Sequence, residues 1–161
     1  MCNLLSSSSK IWFEPVGFVH TEAVGKEVRD KNVVSKIVFR EEYAEALDGI
    51  EEFSHLFVLF WLPEISTEDK QVMKVRPRGR SDMPLLGIFA TRTPHRLNPI
   101  GLTRVKLLNV ECNVITVQGL DAYDGTPVLD IKPFDSWDTT KDFKVPEWWT
   151  KLEKEKSNKK G

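Results

Sequence analysis

The segment Thr91–Gly101, with the sequence TRTPHRLNPIG, places polar side chains on a backbone restricted by prolines. The polar residues are Arg92, His95, Arg96 and Asn98, and the restricting residues are Pro94, Pro99 and Gly101. Proline fixes φ and lowers the entropy cost of ordering a loop, so the pattern is typical of a preformed binding surface. A rigid connection whose arginines cap backbone carbonyls explains the same residues equally well, and both interpretations stay open.

The segment Asp121–Phe134, DAYDGTPVLDIKPF, combines carboxylates with a turn signal. Asp121 and Asp124 lie on either side of the pair Ala-Tyr. The sequence DGTP (124–127) predicts a turn that leads into a strand. Here too a structural explanation competes with a ligand site. Asp124 can form an Asx turn, and Asp130 and Lys132 can pair on one face of the strand.

The three histidines are isolated in sequence. Ser54 and His55 open an apolar run, where a lone histidine is more often a hydrogen-bonded packing residue than a catalyst. His20 and His95 have no HxxxH partner or carboxylate at a metal-ligand spacing. We therefore expect no bound metal.

The charge distribution is uneven although the net charge is only −1, which argues against a generally basic nucleic-acid binder. From Lys74 to Lys106 the chain carries eight basic residues and one acid, a local charge of +7. On one face, these cations would attract phosphates. Scattered over several faces, they would pair with Glu and Asp instead.

Composition limits the compartment and the class of protein. Cys2 and Cys112 lie far apart without a CxxC motif, which favours reduced thiols over a disulfide or a zinc site. The first residues lack the pattern of a secretory signal. The longest apolar run, 56–62, is far shorter than the roughly 20 residues of a membrane helix. These features predict a cytoplasmic protein with no membrane partner.

Short runs rich in β-branched and aromatic residues predict a mainly β fold, a small closed or nearly closed β-barrel with a few short helices. Strands are predicted over 11–20, 33–39, 53–62, 87–91, 102–110, 113–118 and 128–131. Residues 25–32 and 64–84 are predicted to be loops, the second of them a mobile surface loop, and helices are expected at 41–47 and after Pro146. No GxGxxG or GxxxxGK[ST] motif is present, so the fold is predicted to be non-Rossmann.

The chain is expected to form one domain. Residues 1–10 are predicted to be a flexible N-terminus, 11–145 the β-barrel domain, and 146–161 a C-terminal helix, docked by Trp148 and Trp149, with a frayed charged tail.

Five blocks in a fixed order resemble the TsaA-like family, whose best understood members are tRNA methyltransferases of the TrmO type. They are GFVHTEA (17–23), DGIEEFSHLFVLFW (48–61), VRPRGR (75–80), GIFATRTPHRLNPIGLT (87–103) and GLDAYDGTPVLDIKPF (119–134). The resemblance implies a small, usually dimeric β-barrel that binds S-adenosylmethionine without a Rossmann fold. It also implies N6-methylation of threonylcarbamoyl-adenosine beside the tRNA anticodon.

The resemblance further implies a set of cofactor contacts. They are Thr21, Glu22, Ala23, Ser54, His55, Arg92, Leu102, Asp121, Ala122, Tyr123 and Asp124. Arg92 suits the carboxylate of the cofactor, and Asp124 or a nearby water is the expected proton acceptor. The family loop usually reads S-P-x-R-P-N-P-I-G. This chain has Thr93 in place of the serine and Leu97 in place of the proline that follows the arginine.

The expected function is that of an S-adenosylmethionine-dependent tRNA methyltransferase. Two alternatives stay open: a non-catalytic S-adenosylmethionine-binding or sensor protein, and a methyltransferase acting on another RNA or a small molecule. A homodimer is expected because the strand 53–62 has more apolar residues than one barrel face can bury. A C-terminal helix that covers this strand within one chain would explain the same excess.

Overall fold

A computed structural model describes the chain over residues 11–158, with side chains over 11–155. Six antiparallel strands close into a barrel in the order β1, β2, β7, β6, β3, β8, which confirms the predicted fold class. The strands are β1 (Gly17–His20), β2 (Val34–Phe39), β3 (His55–Trp61), β6 (Ile100–Glu111), β7 (Val114–Gln118) and β8 (Pro127–Pro133). The predicted flexible segment 1–10 and the last tail residues, 159–161, lie outside the described residues.

The central strand β3 pairs with β6 on one edge and with β8 on the other, as expected of a strand so rich in apolar residues. Its side chains alternate: Leu56, Val58 and Phe60 are buried in the barrel, whereas the intervening residues point outward and are half-buried. Alternation follows from the period of two in an extended strand.

The barrel interior is filled by side chains. Every strand contributes inward-facing aliphatic or aromatic residues to one cluster, so the barrel encloses a packed core with no channel. Its fully buried members include Val19, Ile37, Leu56, Val105, Ile115, Val117 and Val128. The binding chemistry of this chain must therefore lie on the outer surface and in the loops.

Two predicted strands are wrong in extent. Residues 11–16 are not part of β1, and Trp12 is 84% exposed, because Pro15 has no N–H to donate to a neighbouring strand. Residues 87–91 contribute only Gly87 to a strand; a 3-10 turn, Ile88–Ala90, follows it. The carbonyl of Ile88 turns back to accept the amide of Thr91, which ends the extended conformation.

The segment 63–99 forms an excursion from the barrel between β3 and β6. The predicted surface loop 64–84 contains 3-10 turns at Asp69–Gln71 and Pro77–Gly79, and strand β4 (Lys74–Val75). Strand β4 pairs with β5 (Leu86–Gly87) as a separate two-stranded sheet.

Four further short segments of the described chain are helical. The region 25–32, predicted to be a loop, contains a 3-10 helix at Gly25–Arg29. The helix predicted at 41–47 is present as a 3-10 helix, Glu41–Leu47, and a second short one follows at Ile50–Glu52. A 3-10 turn, Ser136–Asp138, lies after β8.

Charged side chains attach the C-terminal helix α1 (Glu147–Asn158) to the excursion. Arg80 contacts both Asp82 and Glu155, and Lys151 contacts Asp82 with Nζ 2.9 Å from Oδ2. The pKa of Asp82 is lowered by its hydrogen bonds with Arg80 and then Lys151. Leu152, on the same helix, is buried.

The alternative in which the C-terminal helix covers β3 gains no support from polar contacts. Among the described residues, no hydrogen bond or ion pair joins α1 to β3, and Trp149 is 36% exposed. On the outward side of β3, the ring of Phe57 packs edge-on against the ring of Phe134, with the centroids 5.5 Å apart.

Strand β6 begins where the backbone passes close to a core ring. A Cβ built on Gly101 would lie 2.2 Å from Cε2 of Phe60, which is far inside van der Waals contact. Gly101 pairs with Phe60 in the sheet and allows β6 to start beside it.

Gly101→Ala is predicted to lower the free energy of unfolding by about 1–3 kcal/mol, because the added methyl group must displace the ring of a core phenylalanine. Gly87→Ala is the matched control, since a Cβ there meets nothing within 4 Å. Urea denaturation of both variants checks the prediction. Equal stabilities for the two variants would contradict it.

Candidate functional site

The first predicted contact loop and the DGTP turn lie together in the structure. The amide of Thr21 donates to Oδ1 of Asp124 at 3.1 Å, and the amide of Gly125 donates to the carbonyl of Val19 at 2.8 Å. Because β1 pairs with the start of β8, these two segments meet at one end of the barrel. The predicted residues of 21–23 and 121–124 are therefore brought together.

Asp124 has a structural task in this arrangement. Its Oδ1 accepts from Thr21, and Nδ1 of His20 lies 3.6 Å from the same oxygen. The carboxylate is 63% exposed, and no described hydrogen bond engages its Oδ2. Asp124 thus fastens the loop after β1 while one oxygen stays available to a ligand.

The neighbouring residues divide by exposure. Ala122 is buried and supports the turn from below, whereas Asp121 and Tyr123 are exposed. Glu22 is also exposed, and the amide of Ala23 donates to Oγ1 of Thr21 at 3.3 Å. The turn therefore presents a carboxylate and an aromatic ring to solvent.

The loop 91–99 uses its two arginines differently. Arg96 donates to the carbonyls of Thr93 at 2.9 Å and Ile88 at 3.2 Å, and to that of Thr91. Arg92 is exposed, and no hydrogen bond or ion pair is made by it among the described residues. The carbonyl-capping interpretation is correct for Arg96, whereas Arg92 has a free guanidinium to offer a ligand.

A histidine attaches the same loop to the excursion. Nδ1 of His95 lies 2.8 Å from Oδ1 of Asp69, and the hydroxyl of Ser66 donates to Oδ2 of that carboxylate at 3.0 Å. The pKa of Asp69 is lowered, first by the hydrogen bond from Ser66 and then by the nearby His95. Sequence reasoning missed this pair because 25 residues separate its members, and no local motif marks it.

The strand register shows where the remaining predicted residues lie. We call the end formed by Trp61, Ile100 and Pro127 the site end, since the loops of Arg92 and Asp124 lead into it. Leu102 lies near it, opposite Leu59 on the outer face, and is 54% exposed.

Ser54 and His55 lie at the opposite end of the barrel. The Ser54 hydroxyl is 2.9 Å from Nδ1 of His55, and His55 pairs with Lys106 near the other end of β6. Six residues of extended strand, about 20 Å, separate His55 from Trp61. Within one chain the structure does not bring Ser54 and His55 together with the other predicted contacts.

The basic segment keeps most of its charge. Of its eight cationic side chains, Arg80 is the one that lies within 4 Å of a carboxylate among the described residues. Arg76 and Arg96 donate to backbone carbonyls, and Arg104 lies over the ring of Phe134. Pairing with Glu and Asp therefore does not neutralise this segment.

Two negative findings apply to the described residues. No group of three or more His, Cys, Asp or Glu side chains lies close enough together there to hold a metal ion. No helix in that part of the chain is long and apolar enough to cross a membrane.

The sequence matches the profile of the tRNA-methyltransferase O N-terminal domain over residues 21–138. The chain belongs to the TrmO family. This confirms the family that the five sequence blocks suggest, and the match includes every predicted contact residue from Thr21 to Asp124.

Two proteins similar to this chain differ in what their names state. A probable S-adenosyl-L-methionine-binding protein of Methanothermobacter thermautotrophicus is 42% identical over 134 residues, covering 80% of this chain and 93% of that protein. A putative S-adenosylmethionine-dependent methyltransferase of Pseudomonas aeruginosa is 45% identical over 93 residues, covering 58% and 40% respectively.

Solved structures of TrmO have the same fold. One crystal structure of TrmO superposes with a TM-score of 0.69 at 30% identity, covering 85% of this chain and 64% of that chain. The TrmO structure from Pseudomonas aeruginosa gives 0.65 at 28% identity, covering 84% and 62%. This chain thus spans slightly less than two thirds of the length of those TrmO chains.

Arg96→Ala is predicted to lower the free energy of unfolding by about 1–3 kcal/mol, because the carbonyls of the loop lose a half-buried donor. Arg92→Ala removes an equal charge from the same loop and is expected to change stability by less than about 0.5 kcal/mol. Urea denaturation of the pair, with amide hydrogen exchange of 88–99, measures the difference. Equal losses in both variants would show that Arg96 does not hold the loop.

Proposed function

We propose that this protein is an S-adenosylmethionine-dependent tRNA methyltransferase of the cytoplasm that N6-methylates threonylcarbamoyl-adenosine next to the anticodon. Family membership and the names of the relatives support the reaction class. The observation that carries the proposal is the contact between the loop after β1 and the turn of Asp124 at the site end, the end of the barrel into which the loop of Arg92 leads through Ile100.

The residues at the site end suit the cofactor. Arg92 offers an uncompensated guanidinium, which binds a carboxylate such as that of the amino-acid end. Asp121 is exposed and its carboxylate suits the hydroxyls of a ribose. Leu102 and Tyr123, 54% and 41% exposed, offer apolar surface to the adenine.

The bound cofactor supplies a methyl group on a sulfonium, which is already activated for transfer. The protein must hold the acceptor nitrogen in line with that group and keep water away. Rigid loops serve this purpose, since Asp124 fastens one of them and Arg96 the other. The nitrogen loses a proton during methylation, and the unengaged Oδ2 of Asp124 is the group we propose to accept it.

We propose that the working unit is a homodimer whose site is completed by Ser54 and His55 of a second copy. Within one chain these two residues lie about 20 Å from the site end, so one small cofactor does not reach both sets. The outward side of β3 between the two ends carries Phe57, which packs against the ring of Phe134, and Leu59, and both are half-buried. A two-fold pairing across this face would place each Ser54 end beside the partner's site end.

A non-catalytic S-adenosylmethionine-binding protein is the second candidate. The specific observation in its favour is the Methanothermobacter relative, which matches over 93% of its own length and is named for binding alone. Cofactor binding without methyl transfer to any acceptor would support this candidate.

The decisive experiment incubates purified protein and labelled cofactor with tRNA that carries threonylcarbamoyl-adenosine, followed by nucleoside mass spectrometry. We expect a new N6-methyl nucleoside. The control is the same tRNA lacking the threonylcarbamoyl group. Methylation of another RNA or of a small molecule in a parallel screen would show that the protein is a methyltransferase with a different acceptor. Cofactor binding without any methyl transfer would support the non-catalytic binding protein.

Arg92→Ala is predicted to weaken cofactor binding roughly 10- to 100-fold, the effect of losing one charge-assisted hydrogen bond. Arg78→Ala is the charge-matched control in the same basic segment, and it should bind the cofactor like the unaltered protein. Isothermal titration calorimetry measures both. A loss of similar size in both variants would indicate a general effect of charge.

Mixing two defective variants tests the shared site. Arg92→Ala and His55→Ala should each bind the cofactor weakly, yet a refolded equal mixture should recover roughly a quarter of the sites, because half of the dimers are mixed and each mixed dimer has one intact site. Calorimetry counts the sites, and light scattering gives the mass. A site formed within one chain predicts no recovery.

A further inference from the structure

Phe89 is an aromatic side chain held out in solvent by a well-ordered backbone. The residue is 86% exposed, while its neighbour Ile88 is buried at 5%. The amide of Ile88 donates to the carbonyl of Met73 at 3.1 Å, and the Ile88 carbonyl accepts from the amide and the hydroxyl of Thr91. Hydrogen bonds anchor the turn on both sides of Phe89, so the backbone directs this side chain into solvent.

A cation lies on one side of this ring. The guanidinium carbon of Arg96 is 5.8 Å from the ring centroid, within the range of a cation–π contact. Arg96 is itself held by the carbonyls of Ile88, Thr91 and Thr93, so it does not swing away. With most of its surface exposed, the ring has room for a second planar group.

The surroundings of Phe89 are positively charged. Lys74 lies across from Gly87 in the small sheet, and Arg92 follows three residues after Phe89. Among the described residues, no carboxylate lies within 4 Å of the side-chain nitrogens of Lys74, Arg92 or Arg96. Asp69, which contacts the loop through His95, has its oxygens engaged by His95 and Ser66.

We propose that Phe89 stacks on an unpaired nucleobase of a single-stranded nucleic acid, while Lys74 attracts the adjoining phosphate. An exposed aromatic ring among uncompensated cations is the chemistry by which proteins bind unpaired nucleic acid. A duplex keeps its bases stacked on each other, so it offers the ring no free face. The inference rests on the proposed function and adds to it a contact surface outside the site end.

The test compares fluorescence anisotropy of a labelled single-stranded RNA with that of the same sequence in a duplex. Phe89→Ala should weaken single-strand binding roughly tenfold or more and leave duplex binding unchanged, since stacking is lost and charge is not. Phe89→Trp should restore the affinity. Leu97→Ala is the matched control, because Leu97 lies in the same loop and is 73% exposed.

Each outcome decides something different. Wild-type binding that Phe89→Ala leaves unaltered would overturn the inference alone. Single-strand binding that depends on Phe89 but is accompanied by no methyl transfer would uphold the inference and reject the proposed methyltransferase. No binding of any RNA by the wild type would reject both. Dissociation of a dimer by Phe89→Ala, seen by sedimentation, would place Phe89 in a subunit interface and overturn the proposal.

Discussion

The pairing of β3 with β6 and β8 at once is the constraint on which the rest of the structure depends. A slip of one residue would turn Leu56, Val58 and Phe60 outward, so the packed core enforces the register on both edges. The register in turn decides which loops share an end of the barrel. It places the turn before β8 beside the loop after β1, and it places the start of β6 at the same end of the barrel, although about 70 residues separate the loop after β1 from the loop before β6.

The need of backbone carbonyls for hydrogen-bond donors explains why the two arginines of one loop have different roles. A compact loop without strand partners has carbonyls that need donors, and Arg96 supplies them. Once those carbonyls are satisfied, Arg92 can remain uncompensated at a position that does not move. Leu97 stands where the family pattern has a proline, whose ring would restrict the backbone. In this chain, side-chain hydrogen bonds and the Asp69–His95 contact restrict the loop instead.

Local composition predicted most of the barrel. Runs such as Val34–Phe39 and Val114–Gln118 are dense in β-branched residues, and their partners in the sheet satisfy both edges. The prediction failed at 87–91, where a similar composition forms a turn because Arg96 captures the carbonyl of Ile88. This hydrogen bond comes from a residue eight positions along the chain, and the strand propensity of a short segment does not include such a contact.

The family resemblance suggests the residues of the candidate site, whereas their positions in the fold depend on the register. The register brings the loop after β1 to the turn of Asp124, and it places Ile100, to which the loop of Arg92 leads, at the same end of the barrel. The separation of His55 from them depends on strand pairing between distant parts of the chain, so no pattern within 48–61 reveals it.

The ion-pair attachment of α1 also affects the electrostatics of the excursion. Asp82 and Glu155 act as built-in counterions for Arg80, and Lys151 attaches the helix to the same carboxylate. These groups are partly exposed, and mobile ions screen such contacts over about 8 Å at physiological ionic strength. Added salt therefore has two opposed effects on the binding of a polyanion. It weakens binding by shielding the free cations around Phe89, and it favours binding by weakening the ion pair in which a helix carboxylate occupies Arg80. Glu155 of the C-terminal helix is thus a counterion of Arg80 that added salt can displace.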